Sequence, residues 1–172
     1  GDCQYKEANY MQAILYYTEA QESGLNDPKA LYKLADSLNR LEQYSKAETI
    51  FLNLLDKDPS NINVILRLGF CYEAQNLYQK ALNLYQKESS WNLGNPQIIR
   101  QSGLCAIYLK EYRYAEYYFQ EVLKRGQVST QNLAFLGYAL ECQYRWHDAE
   151  LIYKHMIKEF PTNVSGYRAL AW

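Results

Sequence analysis

Apolar residues along this chain recur at helical spacing. Leu31, Leu34, Ala35 and Leu38 fall at i, i+3, i+4 and i+7, as do Ile65, Leu68, Gly69 and Tyr72, and Leu133, Leu136, Gly137 and Leu140. Each set forms one stripe on a helix of period 3.6. A second kind of stripe, Tyr44, Ala47, Phe51 and Leu54, follows the first of these after a short polar gap. The pattern therefore predicts pairs of helices, each turning an apolar face to a neighbour.

The pairs are copies of one unit. Ala13, Ala47, Ala81, Ala115 and Ala149 stand at a constant step of 34. Tyr17, Phe51, Tyr85, Phe119 and Tyr153 repeat that step four places later, and Tyr10, Tyr44, Tyr78, Tyr112 and Trp146 three places earlier. A step of this length marks an array built from one supersecondary element. In register, full units run over 28–61, 62–95, 96–129 and 130–163, with partial units at 1–27 and 164–172. Breaks come at Asn26-Asp27-Pro28, Asp58-Pro59-Ser60-Asn61, Gly94-Asn95-Pro96 and Pro161-Thr162-Asn163, residue types that favour turns and helix starts. Gly69, Gly103 and Gly137 lie inside helical stretches, where glycine costs about 1 kcal/mol relative to alanine. A close crossing predicts them, with glycine or Ala35 on one helix facing the ladder alanine on its pair.

Small and aromatic residues at these offsets, with Pro59 and Pro161 closing their units at one register, resemble the tetratricopeptide repeat over essentially the whole chain. Departures are Ala106 at a position that the family fills with a large residue, and Glu88 and Leu93 where a small residue and a proline are usual. The stretch Glu88–Gly94 is accordingly expected to be a loosened helix end or a local irregularity. The resemblance implies an all-α fold, a right-handed α-solenoid of antiparallel helix pairs, with first helices lining a concave groove that holds peptides or helices. Projected onto this chain, groove positions are Tyr32, Lys33 and Asp36, then Leu66, Arg67 and Phe70, then Arg100, Leu104, Ile107 and Tyr108, then Tyr138 and Glu141. Lys29, Asn39, Glu73, Ala134 and Phe135 flank them. Phe70, Leu104, Ile107 and Tyr138 either form an apolar ligand surface or bridge adjacent first helices as packing; the sequence leaves both open. The family's clamp for a terminal carboxylate is absent, since its leading lysine and asparagine positions hold Tyr32 and Asp36, and the later pairs are Leu66 with Phe70 and Arg100 with Leu104.

Composition narrows the function classes. Eighteen Lys plus Arg against 19 Asp plus Glu give a net charge of −1, so no global field attracts nucleic acid or anionic lipid. Eighteen tyrosines against 5 Phe and 3 Trp suit half-buried helix faces, where a ring packs and its hydroxyl stays wet. Runs such as Tyr112-Arg113-Tyr114 with Tyr117-Tyr118 lack the flanking cations of a base-stacking track. No apolar run reaches the roughly 20 residues that a bilayer requires.

Cys3, Cys71 and Cys105 share one offset, with Ser37 between, and read as small packing residues in a reducing compartment, favouring a cytoplasmic location. His147 and His155 lie two helical turns apart and do not form a metal pair. No phosphate loop or nucleophile signature is present, and Glu116 and Glu150 read as solvated or cation-paired. The expectation is a non-catalytic scaffold without metal or cofactor. It binds a protein segment, or alternatively self-associates through its ends or convex face. Both ends enter in mid-unit, so the chain is expected to be part of a longer array, with residues 164–172 packing on the preceding helix while leaving apolar surface open.

Overall fold

The structure, a computed structural model, describes residues 2–22, 27–89 and 95–170. Among these residues there are helices and no strands. In chain order they are α1 (Asp2–Glu22), α2 (Pro28–Arg40), α3 (Tyr44–Lys57), α4 (Ile62–Ala74), α5 (Tyr78–Ser89), α6 (Pro96–Tyr108), α7 (Tyr112–Lys124), α8 (Thr130–Glu141), α9 (Trp146–Glu159) and α10 (Val164–Leu170). The helix boundaries follow the 34-residue register, one pair per full unit. The partial unit at the start is a single helix, α1, running through residues 7–9, where the register places a turn in every later unit. Of the expected irregularity over Glu88–Gly94, residues 90–94 lie outside the described residues, as do Ala171 and Trp172.

The helices form two compact units, residues 1–84 and 85–172, with the division inside α5. In the first, α2 packs on α1 and α3, and α4 on α3 and α2. Leu31, Leu34, Ala35 and Leu38 of α2, Ala47, Phe51 and Leu54 of α3, and Ile65, Leu68 and Tyr72 of α4 are all buried where these helices pack. In the second, α7 packs on α6 and α8, and α9 on α8 and α10. Its core joins Ala106, Ala115 and Phe119 to Leu133, Leu136, Leu140, Ala149, Tyr153 and Met156. Both apolar stripes face inward as the periodicity predicts.

The glycine crossings differ from the expectation in their partner. A Cβ built on Gly137 would sit 2.3 Å from Tyr153 Cε1, and one on Gly103 would sit 3.0 Å from Phe119 Cε2. The atoms closest to the missing side chain therefore belong to the aromatic ladder and not the alanine ladder. The helices are spaced so that a ring lies in the gap a glycine leaves, while the ladder alanine is buried beside it at 0–2% exposure.

Helix starts are capped at the same step. Asp27, Asn61, Asn95 and Ser129 accept hydrogen bonds from backbone N–H groups of Ala30, Val64, Ile98 and Asn132, and Asn163 accepts one from Ser165. These satisfy donors that a helix leaves unpaired at its first turn. First helices end in a recurrent tight turn. Glu42, Asn76, Lys110 and Tyr144 have φ of 59°, 59°, 61° and 61°, and the next residue's N–H bonds back to the carbonyl five residues earlier, as from Glu111 to Ala106 at 2.8 Å. This is the 6→1 closure of a helix with a left-handed residue at its end.

Candidate functional site

Each unit presents a row of first-helix side chains, and the projected groove residues divide into three kinds. Polar residues tie neighbouring first helices together. In the first unit, Arg67 of α4 donates from Nε to the Tyr32 hydroxyl of α2 at 3.3 Å and pairs with Asp36 Oδ1 at 3.3 Å. Arg40 holds the other Asp36 oxygen at 3.0 Å. Because the Arg67 N–H is aimed at Tyr32, Asp36 Oδ1 is buried at ion-pair distance without accepting a hydrogen bond. In the second unit, Arg100 of α6 reaches α8, donating to Asn132 Oδ1 and Gln131 Oε1, both at 3.1 Å.

A second group packs. Leu104, Ile107, Ala134 and Phe135 lie half-buried against the core of the second unit, with Phe135 stacked on Phe119 at 5.3 Å. Leu66 is likewise half-buried.

The third group stands out into solvent. Phe70 is 37% exposed, Tyr138 43% and Tyr108 62%, and Lys33 is exposed on α2. Tyr138 is held edge-on to Tyr112 at 6.3 Å, and its phenol is pushed up in pKa, first by its hydrogen bond with the Cys142 thiol and then by that group's charge. Glu141 lies at the end of α8 near Trp146 and Tyr153. Desolvation, followed by the Glu141 charge, pushes the Tyr153 phenol up as well.

Two features were not read from the sequence. One is a cleft of about 840 Å³ in the first unit, between the start of α2, the end of α3 and the start of α4. Lys29, Tyr32 and Lys33 line it from α2, Lys57 from α3, and Asn63 and Val64 from α4. Lys57 lies on a second helix, so projection of first-helix positions passes over it. The other is a polar knot in the second unit, where Arg145 grips both oxygens of Glu116 at 2.8 Å and also pairs with Asp148 at 2.7 Å. Gln143 donates to Glu116 as well, at 3.0 Å. This knot occupies the Glu116 carboxylate fully, in line with its reading as a cation-paired group.

Chemistry-bearing residues elsewhere are dispersed. Among the described residues no group of three His, Cys, Asp or Glu side chains could hold a metal ion. Cys71 and Cys105 are buried free thiols at the packing offset, and burial pushes Cys71 up to about 11. The Cys3 side chain lies outside the described residues. His147 and His155 each face a carboxylate on their own helix, Glu150 and Glu159, at 3.8 and 3.7 Å. No described helix is long and apolar enough to cross a membrane.

Comparison with known proteins agrees with this architecture. The family model for the tetratricopeptide repeat matches residues 29–61 and 63–87. Among solved structures, the chain is similar to MamA residues 41 to the end from Desulfovibrio magneticus RS-1, at 18% identity and a TM-score of 0.77, covering 87% of this chain and 84% of that one. It is similar also to a tetratricopeptide repeat protein from Parabacteroides merdae, at 19% identity and a TM-score of 0.74, covering 93% and 70%. A third is TTC0263, a thermophilic TPR protein of Thermus thermophilus, at 20% identity and a TM-score of 0.66, covering 100% and 96%. At these identities the likeness is one of fold. No curated protein matches the chain.

Proposed function

Since the chain is a tetratricopeptide repeat protein with the all-α solenoid fold of that family, and such repeats serve in general as protein–protein interaction scaffolds, we propose that its first-helix faces hold a peptide or helix of a protein partner. The observation that carries this reading is the exposure of Phe70 on α4 and of Tyr108 and Tyr138 on α6 and α8. Large ring side chains stand in solvent on the helices that the family resemblance implies for ligand contact, beside neighbours that pack. Burying one such ring against a partner stabilises a complex by roughly 1.5–3 kcal/mol, enough to matter when a few act together. In this reading the protein is not an enzyme, takes no cofactor and does not bind nucleic acid.

Phe70→Glu and Tyr138→Glu, made separately and used in partner capture from the source cell, test this. Each should reduce recovery of the same partner while leaving far-ultraviolet circular dichroism unchanged. Unchanged recovery with intact helicity for both variants refutes it.

A second reading, self-association, is favoured by one observation. Val164, Tyr167 and Leu170 of α10 are 58%, 49% and 37% exposed, and Trp146 nearby is 61% exposed.

A further inference from the structure

The cleft between α2, α3 and α4 carries and pairs its charges differently from its counterpart in the second unit, and the repeat makes the two comparable residue by residue. In the second unit, Arg100 crosses the equivalent space to Asn132 and Gln131. At the corresponding places the first unit has Tyr32, Val64 and Asn63. Tyr32 turns its ring edge-on to Phe51 at 6.0 Å, and the α2–α4 bridge here runs instead from Arg67 to the Tyr32 hydroxyl and Asp36, residues of which only Tyr32 lines the cleft. The cation at the end of the second helix also differs in its company. Arg125 of α7 is paired with Glu121 at 2.6 Å, and Lys124 shares the same carboxylate at 2.7 Å. Lys57 of α3 matches Arg125, but the position matching Glu121 is Asn53. Lys29 and Lys33 stand where the second unit has Gln97 and Gln101. The first unit has thus gained Lys29 and Lys33 and lacks the carboxylate that would answer Lys57, while Tyr32 takes the place of Arg100, Asp56 that of Lys124 and Asp58 that of Gly126.

The acid that lines the cleft, Asp58, keeps its charge, leaving three lysines against one carboxylate, and neutral donors hold it to its own turn. Asp58 accepts from the Ser60 N–H at 3.2 Å, the Ser60 hydroxyl at 2.9 Å and the Asn61 side-chain amide at 3.1 Å. Asp36, whose charge would repel an anion, is held by Arg40 and Arg67 and is not among the lining residues. Lys29, Lys33 and Lys57 have no ion-pair partner among the described residues, and they stand around a floor that includes the buried side chains of Leu54 and Val64.

We propose that this cleft binds an acidic segment of a partner protein, with side-chain carboxylates between the three lysines and an apolar residue against Leu54 and Val64. Charge complementarity selects the occupant. Three lysines against the single Asp58 leave the opening net positive, and an anion that enters it gains more there than at a single exposed lysine. The apolar floor selects a peptide over a simple anion, which has nothing to place against Leu54 and Val64. This inference rests on the scaffold reading and adds to it a site that includes a second-helix residue and whose lining contains neither Phe70 nor Tyr138.

The test uses the 172-residue chain and a fluorescein-labelled, end-capped octapeptide, Asp-Glu-Leu-Asp-Asp-Leu-Glu-Asp, with its Asn/Gln counterpart as the neutral control. Anisotropy at low salt should show saturable binding of the acidic peptide, about tenfold or more tighter than the control, weakening steeply as salt shortens the Debye length from about 10 Å at 0.1 M. Asn53→Glu is the decisive variant. It lines no part of the cleft, restores at i, i+4 the carboxylate that the second unit keeps, and should weaken the acidic peptide about threefold. Lys33→Gln and Lys57→Gln should each do the same, with circular dichroism unchanged. Equal binding of both peptides, or equal binding of the acidic peptide to the parent and to Asn53→Glu, overturns the site. A captured partner that depends on Phe70 or Tyr138 while the peptide fails to bind would leave the scaffold reading standing without this cleft. Failure of both would remove the two together.

Discussion

At the residue scale, the glycine crossings set a measurable contrast. Replacing a helical glycine by alanine gains about 1 kcal/mol of propensity, while overpacking a filled core typically costs about 1–3 kcal/mol. At Gly137 the new Cβ would fall 2.3–2.7 Å from three atoms of the buried Tyr153 side chain, so the ring itself must move. At Gly103 the nearest approach is 3.0 Å, which small adjustments of Phe119 relieve. Gly137→Ala should therefore lower the melting temperature by several degrees, and Gly103→Ala should leave it nearly unchanged. Gly103→Leu should destabilise, as its branched end has no room beside Phe119. Equal melting for Gly137→Ala and the parent would contradict the ring-in-gap account. The sequence showed that something close must cross these glycines, but not what, because the alanine and aromatic ladders share one period and only the tilt of the helices decides which is nearer.

The buried thiol and phenols give a pH dependence of defined sign. Cys71 is raised to about 11, and Tyr72 and Tyr153 are raised too, chiefly by desolvation. The folded state holds these protons more tightly than the unfolded chain. Their contribution is thus fully present below the unfolded thiol value near 9 and is lost as pH rises toward 11 and beyond. Thermal melting across pH 8 to 11 should show a falling melting temperature, and alkylation at pH 8 should label the half-buried Cys142 before Cys71 or Cys105. A flat profile would mean these groups are open to water.

At the element scale, helix starts were legible, as were the second-helix ends before Pro59 and Pro161, and first-helix ends were not. Asp27, Asn61, Asn95 and Asn163 belong to residue types that announce a start, and the structure has each accepting from the helix it opens. The first-helix ends are built on left-handed residues that are Glu42, Asn76, Lys110 and Tyr144, none a glycine. Asn76 alone among them is a residue type that favours such a stop, and at the other three the turn follows from closing the pair around its core. A left-handed residue other than glycine costs roughly 1–2 kcal/mol. Lys110→Gly, at an exposed turn position, should recover part of this and raise stability by a few tenths to about 1 kcal/mol in chemical denaturation. Destabilisation would show that the lysine side chain contributes more than the backbone strain removes.

At the scale of the whole molecule, the repeat made the all-α class and the pairing of helices readable, since each followed from a period that every unit obeys. Ligand contact was less readable. Leu104 and Ile107 have the apolar character of a binding face, yet they lie half-buried on the core. Lys57, which lines the cleft, sits outside the first-helix pattern altogether. The contacts proposed for these places depend on what differs between units, and a period records what they share. Self-association is decided at this scale: light scattering on the chain before and after Leu170→Asp should show an oligomer that dissociates if the apolar surface of α10 joins copies, and the same monomeric mass in both if it does not.

The caps at 27, 61, 95, 129 and 163 carry an evolutionary consequence. Because each is an Asx or serine side chain closing an equivalent first turn, a duplication or loss with breakpoints at any two of them would join a sound helix start to a sound helix. Gene rearrangement can therefore lengthen or shorten such a chain without inventing a junction, and selection is left free to act on the side chains between.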